Sequence, residues 1–441
     1  MQAPVLSEIT QALCAGLILL VPLAAAGLAL IHAGLGRSRS AAHALLSAVS
    51  VVAVAMLVYF VCGWSWQGLP GGGAHTMTVA GKAWSWIGAD PFFFRGLRFD
   101  GSRAALTAWL QIFGVGIAAL IPLGAGSDRW RLGAACASTA ILAGWTYPLF
   151  AHWVWGGGWL AQLGVHEGLG YGFLDAGGAS AIQAVGGLTA LSIALILGPR
   201  QGKYDADGMP AAIPGHNAMV VLFACFLTWL GWIGLNGSGS LLLMGGTAAA
   251  VARVAVNTTL SAAAGLLATA GITRMRFGRP DASLCVNGWT GGLVASSAAC
   301  AFVEPAAAAA IGAIAGALVT FSVEWLDARL RVDDPAGSIS VHAAGGLWGV
   351  LALGIFARIP PGAALNGTGA GNPNQWLAQL AGVATLIVFV FPMTYSLNWL
   401  LNRFYPQRVS AEGEAHGLDL YELGAGAYPE FVTRRDDFRP R

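Results

Sequence analysis

The sequence is short of charge. Asp, Glu, Lys and Arg make up only 10% of its 441 residues, where a soluble domain carries about 25%. Hydrophobic residues make up 56%, and mean hydropathy is +0.65. A soluble protein of this length could not cover its surface with so few charges. Composition therefore excludes a cytosolic enzyme and a disordered chain and leaves a multi-span membrane protein. A net charge of +2 gives a nucleic-acid partner no electrostatic support. No Lys or Arg precedes the first apolar run, which is also too long for a signal-peptide core, so it reads as the first spanning helix. No GxxxxGK[ST] segment occurs, which argues against an ATP-driven pump. The 6 cysteines show no CxxC pairing and read as small core hydrophobes. His152, His166 and Glu167 lack a metal-ligand spacing such as HxxEH and read as loop and cap residues. No enzyme activity, metal or cofactor is expected.

Small residues are abundant instead. The 62 glycines let helices approach closely within a bilayer. Apolar stretches long enough to cross a membrane, about 20 residues each, fall near 11–34, 41–64, 104–126, 132–153, 176–198, 217–235, 247–272, 284–302, 305–326, 339–358 and 376–403. The expected fold is thus all-α with eleven transmembrane helices. Alternate loops, together with the tail, hold 17 of the 23 basic residues; the opposite loops hold 5, and Arg253 lies within a span. By the positive-inside rule the N-terminus is outside and the C-terminus cytoplasmic, in the cell (inner) membrane. The division expected is a membrane domain at 1–406 and a cytoplasmic tail at 407–441.

Two segments repeat. Asp175 precedes Gln183 by eight residues and Asp334 precedes His342 by eight; each polar residue is followed by two small residues and Gly-Gly-Leu. The segments open the fifth and tenth spans. Five helices per copy invert the second copy, so repeats of about 10–198 and 217–358, followed by a long eleventh helix, form a five-plus-five inverted pair. Such pairs place a functional site near the midplane where the halves meet, which predicts that Gln183 and His342 come together. The alternative for Asp175 and Asp334 is helix N-capping. For His342 the alternative is a satisfied core histidine, but an ionisable residue inside a membrane is costly and more often lines a path.

These residues carry a resemblance that spans nearly the whole chain. Gly27-Leu-Ala-Leu-Ile-His-Ala-Gly-Leu, Ala151-His-Trp-Val-Trp-Gly-Gly-Gly, Gly231-Trp-Ile-Gly-Leu-Asn, Val256-Asn-Thr-Thr-Leu, Arg331-Val-Asp-Asp-Pro and Val341-His-Ala-Ala-Gly-Gly-Leu-Trp-Gly occur in order. With Gly417-Leu-Asp and Ala427-Tyr-Pro-Glu in the tail, the chain resembles the Amt/Mep/Rh ammonium transporter family. The resemblance implies a homotrimer in the lipid bilayer with one pore per subunit. It also implies an outer vestibule that recruits ammonium by cation–π contact, a gate of stacked Phe rings, and two pore histidines. Carried over by residue, Trp155 matches the recruiting Trp, Asp175 the acidic residue opening the fifth helix, and His342 the second pore histidine. Gln183 stands where the first is expected. The first gate position falls on Gly114, next to Phe113, and the second on Leu222, next to Phe223. The small or hydroxyl recruitment position falls on Phe226.

Gln183 has no accessible protonation change, so a relay between two titrating groups at this pair is expected to be broken, with slower or charge-uncoupled transport. The substrate expected is ammonium/ammonia or a close small amine. The alternative is an ammonium sensor or binding protein with little flux, against which stands the absence of a fused signalling domain after Arg408. In the tail, Glu422-Leu423-Gly424 replaces the family's usual acidic-His-Gly. The tail is thus either a docking site for a PII-type regulator or a solvated brace.

Overall fold

The computed structural model describes residues 6–359 and 374–428. The last stretch of the expected tail, with Glu430, Arg434, Arg435, Arg439 and Arg441, lies outside the described residues. Long helices occupy all eleven expected stretches. The first is Glu8–Leu35, the second Ser38–Gln67, the third Arg103–Gly126 and the fourth 132–154. The fifth to seventh are Ala179–Leu197, Ala218–Leu242 and Ala248–Phe277. The eighth is Ala282–Ala299, the ninth Pro305–Leu330, the tenth Ile339–Phe356 and the eleventh Gln375–Phe404. Among the described residues, ten stretches are long and apolar enough to cross a membrane, a short helix at Trp159–Glu167 being counted with the fourth. The eighth, Ala282–Ala299, is less apolar because nearly all of it is buried against other helices, where Asn287, Thr290, Ser296 and Ser297 are sheltered.

The helix pairings repeat with a shift of five. The first span packs on the second and third, and the sixth on the seventh and eighth. The second packs on the third and fourth, and the seventh on the eighth and ninth. The third meets the fifth as the eighth meets the tenth. The largest contacts between the halves are the first span with the sixth and the fifth with the tenth. The eleventh span crosses the outside of both the fifth and the tenth.

Glycine permits the closest of these approaches. A Cβ on Gly231 would strike the backbone of Ala24 in the first span, and one on Gly316 would strike Gly265 in the seventh. Arg253 and Asn257 donate across to the carbonyls of Ala301, Cys300 and Val303, so both serve helix packing.

The chain is not wholly helical. Within the long 65–102 loop, β1 (Ala74–Val79) pairs antiparallel with β2 (Lys82–Gly88). Ala80 and Gly81 form the two-residue turn with φ of 51° and 76°, the sense that matches strand twist. Ser85 Oγ bonds His152 Nε2 at 2.9 Å, and Trp153 Nε1 donates to the Trp86 carbonyl at 2.7 Å. The hairpin is thereby fastened to the end of the fourth span.

The opposite, tail end is organised by buried charge. Arg200 donates to both carboxylate oxygens of Asp333 at 2.9 and 3.0 Å and to Asp128 at 3.1 Å. Arg129, fully buried, donates to the carbonyls of Gly198 and Asp333. Burial alone would raise the Asp333 carboxyl, but the Arg200 hydrogen bonds and charge outweigh it and hold the group below the usual carboxylate range. Arg129 has only a 3.8 Å ion pair with Asp333, and burial lowers it to about 10. The tail closes over this cluster. Arg408 donates to the Leu197 carbonyl and to Glu414, while Trp130 Nε1 donates to Gln407.

Candidate functional site at the crossing of the fifth and tenth spans

Asp175 and Asp334 open the two spans in the same way. Asp175 Oδ1 accepts from the N–H groups of Gly178 and Ala179 at 2.8 and 2.9 Å, and Oδ2 accepts from Ser180 N at 2.7 Å. Asp334 accepts from Ser338 N and Ile339 N at 3.0 and 2.7 Å. Both carboxylates therefore satisfy helix-start donors, the capping alternative weighed from sequence. They do so at opposite ends of the molecule. Asp175 lies beside Trp155 at the hairpin end, and Asp334 follows Asp333 in the charged cluster at the tail end.

Each cap leads into a widened helical turn, Ala179–Ala184 or Ile339–Ala344. The N–H of Gln183 bonds the carbonyl of Gly178, five residues back, at 2.9 Å. Such turns recur at functional sites because they re-aim a side chain. Here they aim Gln183 and His342 at each other. His342 Nδ1–H donates to Gln183 Oε1 at 2.7 Å, with the residues 2% and 0% exposed. The repeated Gly-Gly makes this possible. A Cβ on Gly346 would sit 2.5 Å from the Ala179 carbonyl and 3.1 Å from Ala184 N. One on Gly187 would strike the backbone of Ala343. Each glycine lies four residues beyond the polar residue of its own span and receives the turn of the other.

The contact leaves two functional atoms free. Gln183 Nε2 is buried without a hydrogen-bond partner. His342 bonds Gln183 through Nδ1, which leaves Nε2 as the basic atom of the pair.

Around this pair the expected residues divide. Gly114 faces the fourth and fifth spans: a Cβ there would meet Tyr147 Oη at 3.0 Å, Ile182 Cδ1 at 3.2 Å and Gln111 Oε1 at 3.4 Å. The Tyr147 hydroxyl donates to Gln111 Oε1 in a short bond. Tyr147, Gln111 and Ile182 thus occupy the space in front of Gly114, while Phe113, one residue on, is partly buried on another side of the helix. Trp155 is buried, and its Nε1 donates to the Asp175 carbonyl at 2.8 Å, so it holds the cap of the fifth span.

The sixth-span assignments are corrected. Leu222, Phe223 and Phe226 are 43%, 58% and 61% exposed. With Met219 and Leu230 they form one apolar stripe on the outside of the chain, so the structure does not bring them to the Gln183–His342 contact. The sixth-span residues that reach the Asp175 loop are Asn236 and Gly239: a Cβ on Gly177 would strike Asn236 Oδ1, and one on Gly239 would strike the Ala176 carbonyl. Leu235, beside them, is buried. Leu222 lies thirteen residues before Leu235, about 20 Å along the helix. Asn236 Nδ2 donates to Thr258 and Ser296, and Trp232 Nε1 to Ser297, tying this segment to the seventh and eighth spans.

The profile of the Ammonium Transporter Family matches residues 12–428, from the first span through the docked tail. The chain belongs to the ammonium transporter family. It is similar to the ammonium transporter Amt2 of Archaeoglobus fulgidus, with 36% identity over 416 residues, covering 92% of this chain and 85% of the relative. An ammonium transporter of Bacillus subtilis is 31% identical over 417 residues, covering 93% and 96%. A solved structure described as a sensor Amt protein superposes with a TM-score of 0.82 at 28% identity, covering 94% of this chain and 98% of that one. Candida albicans Mep2 superposes with a TM-score of 0.78 at 24% identity, covering 98% and 92%, a likeness of fold. Within this ammonium transporter family member, the Gln183–His342 pair is a buried polar contact between the two halves.

Proposed function

We propose that this family member carries ammonium across the cell (inner) membrane as ammonia, along a path that crosses the fifth and tenth spans at Gln183 and His342. The observation that carries the reading is the pair's hydrogen-bond polarity. Gln183 offers free amide hydrogens, and His342 offers a lone pair on Nε2. Ammonia fits both, because its lone pair accepts from the amide and its own N–H donates to the imidazole. Ammonium has no lone pair and only donors, so the Gln183 amide hydrogens oppose it. An arriving ion therefore has a base before it and a donor beside it, and it is driven to give up its proton. Tyr147, Gln111 and Ile182 replace an aromatic gate near Gly114. Trp155 and Asp175 hold the approach in place rather than binding the cation in the open.

The Arg-rich tail end is the cytoplasmic end by the positive-inside rule. The exposed apolar stripe of Leu222, Phe223 and Phe226 suits either lipid or a neighbouring subunit of a homotrimer. A PII-type regulator would act through the tail, where Glu422 already accepts from the Leu132 N–H at 2.9 Å and pairs with His43 at 2.8 Å.

The experiment is ammonium uptake in proteoliposomes and in cells lacking their own ammonium uptake. Uptake by the wild type that is lost in His342→Leu supports the path. Binding without uptake would replace this reading with that of a sensor.

A further inference from the structure

Gln183 removes a titrating group from the crossing, and the first span supplies another. His32 lies near the tail end of Glu8–Leu35, is 5% exposed, and has no hydrogen-bond partner on Nδ1. Its Nε2 reaches only Ser338 Oγ, at 3.5 Å. Ser338 stands one turn before His342 on the tenth span. The third span yields room for the pair: a Cβ on Gly124 would lie 2.8 Å from His32 Nε2 and would strike Ser338 Oγ.

A histidine kept for packing gains from having its nitrogens satisfied, because a buried polar atom without a partner is unfavourable. His32 has one unpaired nitrogen and one at the limit of bonding distance. It also lines a cavity at the tail end with Gly36, Ser40, His43, Asp128 and Leu418. The charged and titratable groups around it are Asp128, His43 and Arg37 on the cavity side, Arg37 lying 3.9 Å from Asp128. His342 lies on the other side. The polar groups thus run from the Gln183–His342 contact through Ser338 and His32 to the tail-end cavity.

We propose that His32 is the second proton-exchanging group of this transporter, replacing on the tail side of His342 the titrating group absent at Gln183. The inference rests on the reading that Gln183 and His342 lie on the substrate path. Ammonium gives its proton to His342 Nε2, leaving ammonia and an imidazolium. The imidazolium returns to neutral by passing that proton through water to His32, along a route lined by Ser338, which stands one turn before His342 and 3.5 Å from His32 Nε2. His32 releases it to water in the tail-end cavity. One proton then follows each ammonia, and every side chain ends as it began.

The test measures ammonium-elicited current, ammonia uptake and thermal unfolding for the full-length protein in phospholipid proteoliposomes. The expected result is that His32→Gln lowers the current by about tenfold or more without a matching loss of thermal stability. The double variant His32→Gln with Gln183→His should recover the current, because it restores a second titrating group at the crossing. A His32→Gln current within about twofold of wild type, or a loss that Gln183→His does not recover, overturns the proposal. Wild-type uptake without current overturns the relay and leaves the path standing; neither uptake nor current in the wild type overturns both.

Discussion

His342 Nδ1 donates to Gln183 Oε1 across 2.7 Å, joining two residues 159 positions apart that open corresponding spans of the two halves. Replacing Gln183 with Leu leaves the buried His342 N–H without an acceptor. That should cost about 1–3 kcal/mol and remove the amide hydrogens that favour ammonia. Thermal unfolding in detergent should show the loss of stability, and uptake should fall in the same variant. Wild-type uptake by Gln183→Leu would take the contact off the substrate path.

The second prediction concerns the glycine that admits the contact. Gly346→Ala keeps both polar side chains but forces a Cβ to within 2.5 Å of the Ala179 carbonyl. Overpacking of this kind costs about 1–3 kcal/mol and pushes the tenth span away from the fifth. Uptake should drop although Gln183 and His342 remain. Gly271→Ala is the control, since nothing lies within 4 Å of a Cβ there; it should leave uptake and melting temperature near wild type.

The third prediction addresses the buried charges at the tail end. Asp333→Ala leaves Arg200, and the fully buried Arg129, without their shared carboxylate. Removing one partner of such a cluster costs about 3–5 kcal/mol, so the variant should unfold at markedly lower temperature or fail to accumulate. Asp333→Asn, which keeps an oxygen acceptor, should lose less.

The fourth prediction is a pH dependence. Burial would raise the Glu422 carboxyl, but the hydrogen bonds from His43 and the Leu132 N–H outweigh it and hold the group below its ordinary value of 4.5. A lowered carboxylate stabilises the docked tail fully above that ordinary value and loses the contribution as pH falls through the folded value. Asp333, also held low, follows the same sign. Tail docking, followed by protection of 411–424 from hydrogen exchange, should therefore be constant from neutral pH down to about pH 5 and weaken only below about pH 4. Glu422→Ala should show weakened docking already at neutral pH.

Much of the site was legible in the sequence because the chain says it twice. The spacing from Asp175 to Gln183 recurs from Asp334 to His342, and a repeat with an odd number of spans brings its copies face to face. The eleven stretches were legible because hydrocarbon thickness sets a helix length that composition can reveal. The outward placement of Leu222, Phe223 and Phe226 was not legible because counting along a span does not show which face of the helix turns inward. The hairpin was not anticipated because its Trp84-Ser85-Trp86 alternation is short and lies between two long apolar stretches. His32 was visible within the Gly27-Leu-Ala-Leu-Ile-His segment, but nothing local marks it as facing Ser338, which lies 306 positions away.

What the sequence determined alone was the membrane class, the number of long helices and the two polar residues that open the fifth and tenth. Each of these follows from composition or from spacing along the chain. Only the tertiary structure decided which atoms of that pair are bonded and which are free, that Trp155 bonds the carbonyl of the capping Asp175, and that a third-span glycine admits His32 beside Ser338. These are relations between surfaces brought together by packing, where closeness of a few tenths of an ångström decides the outcome, and no local spacing encodes them.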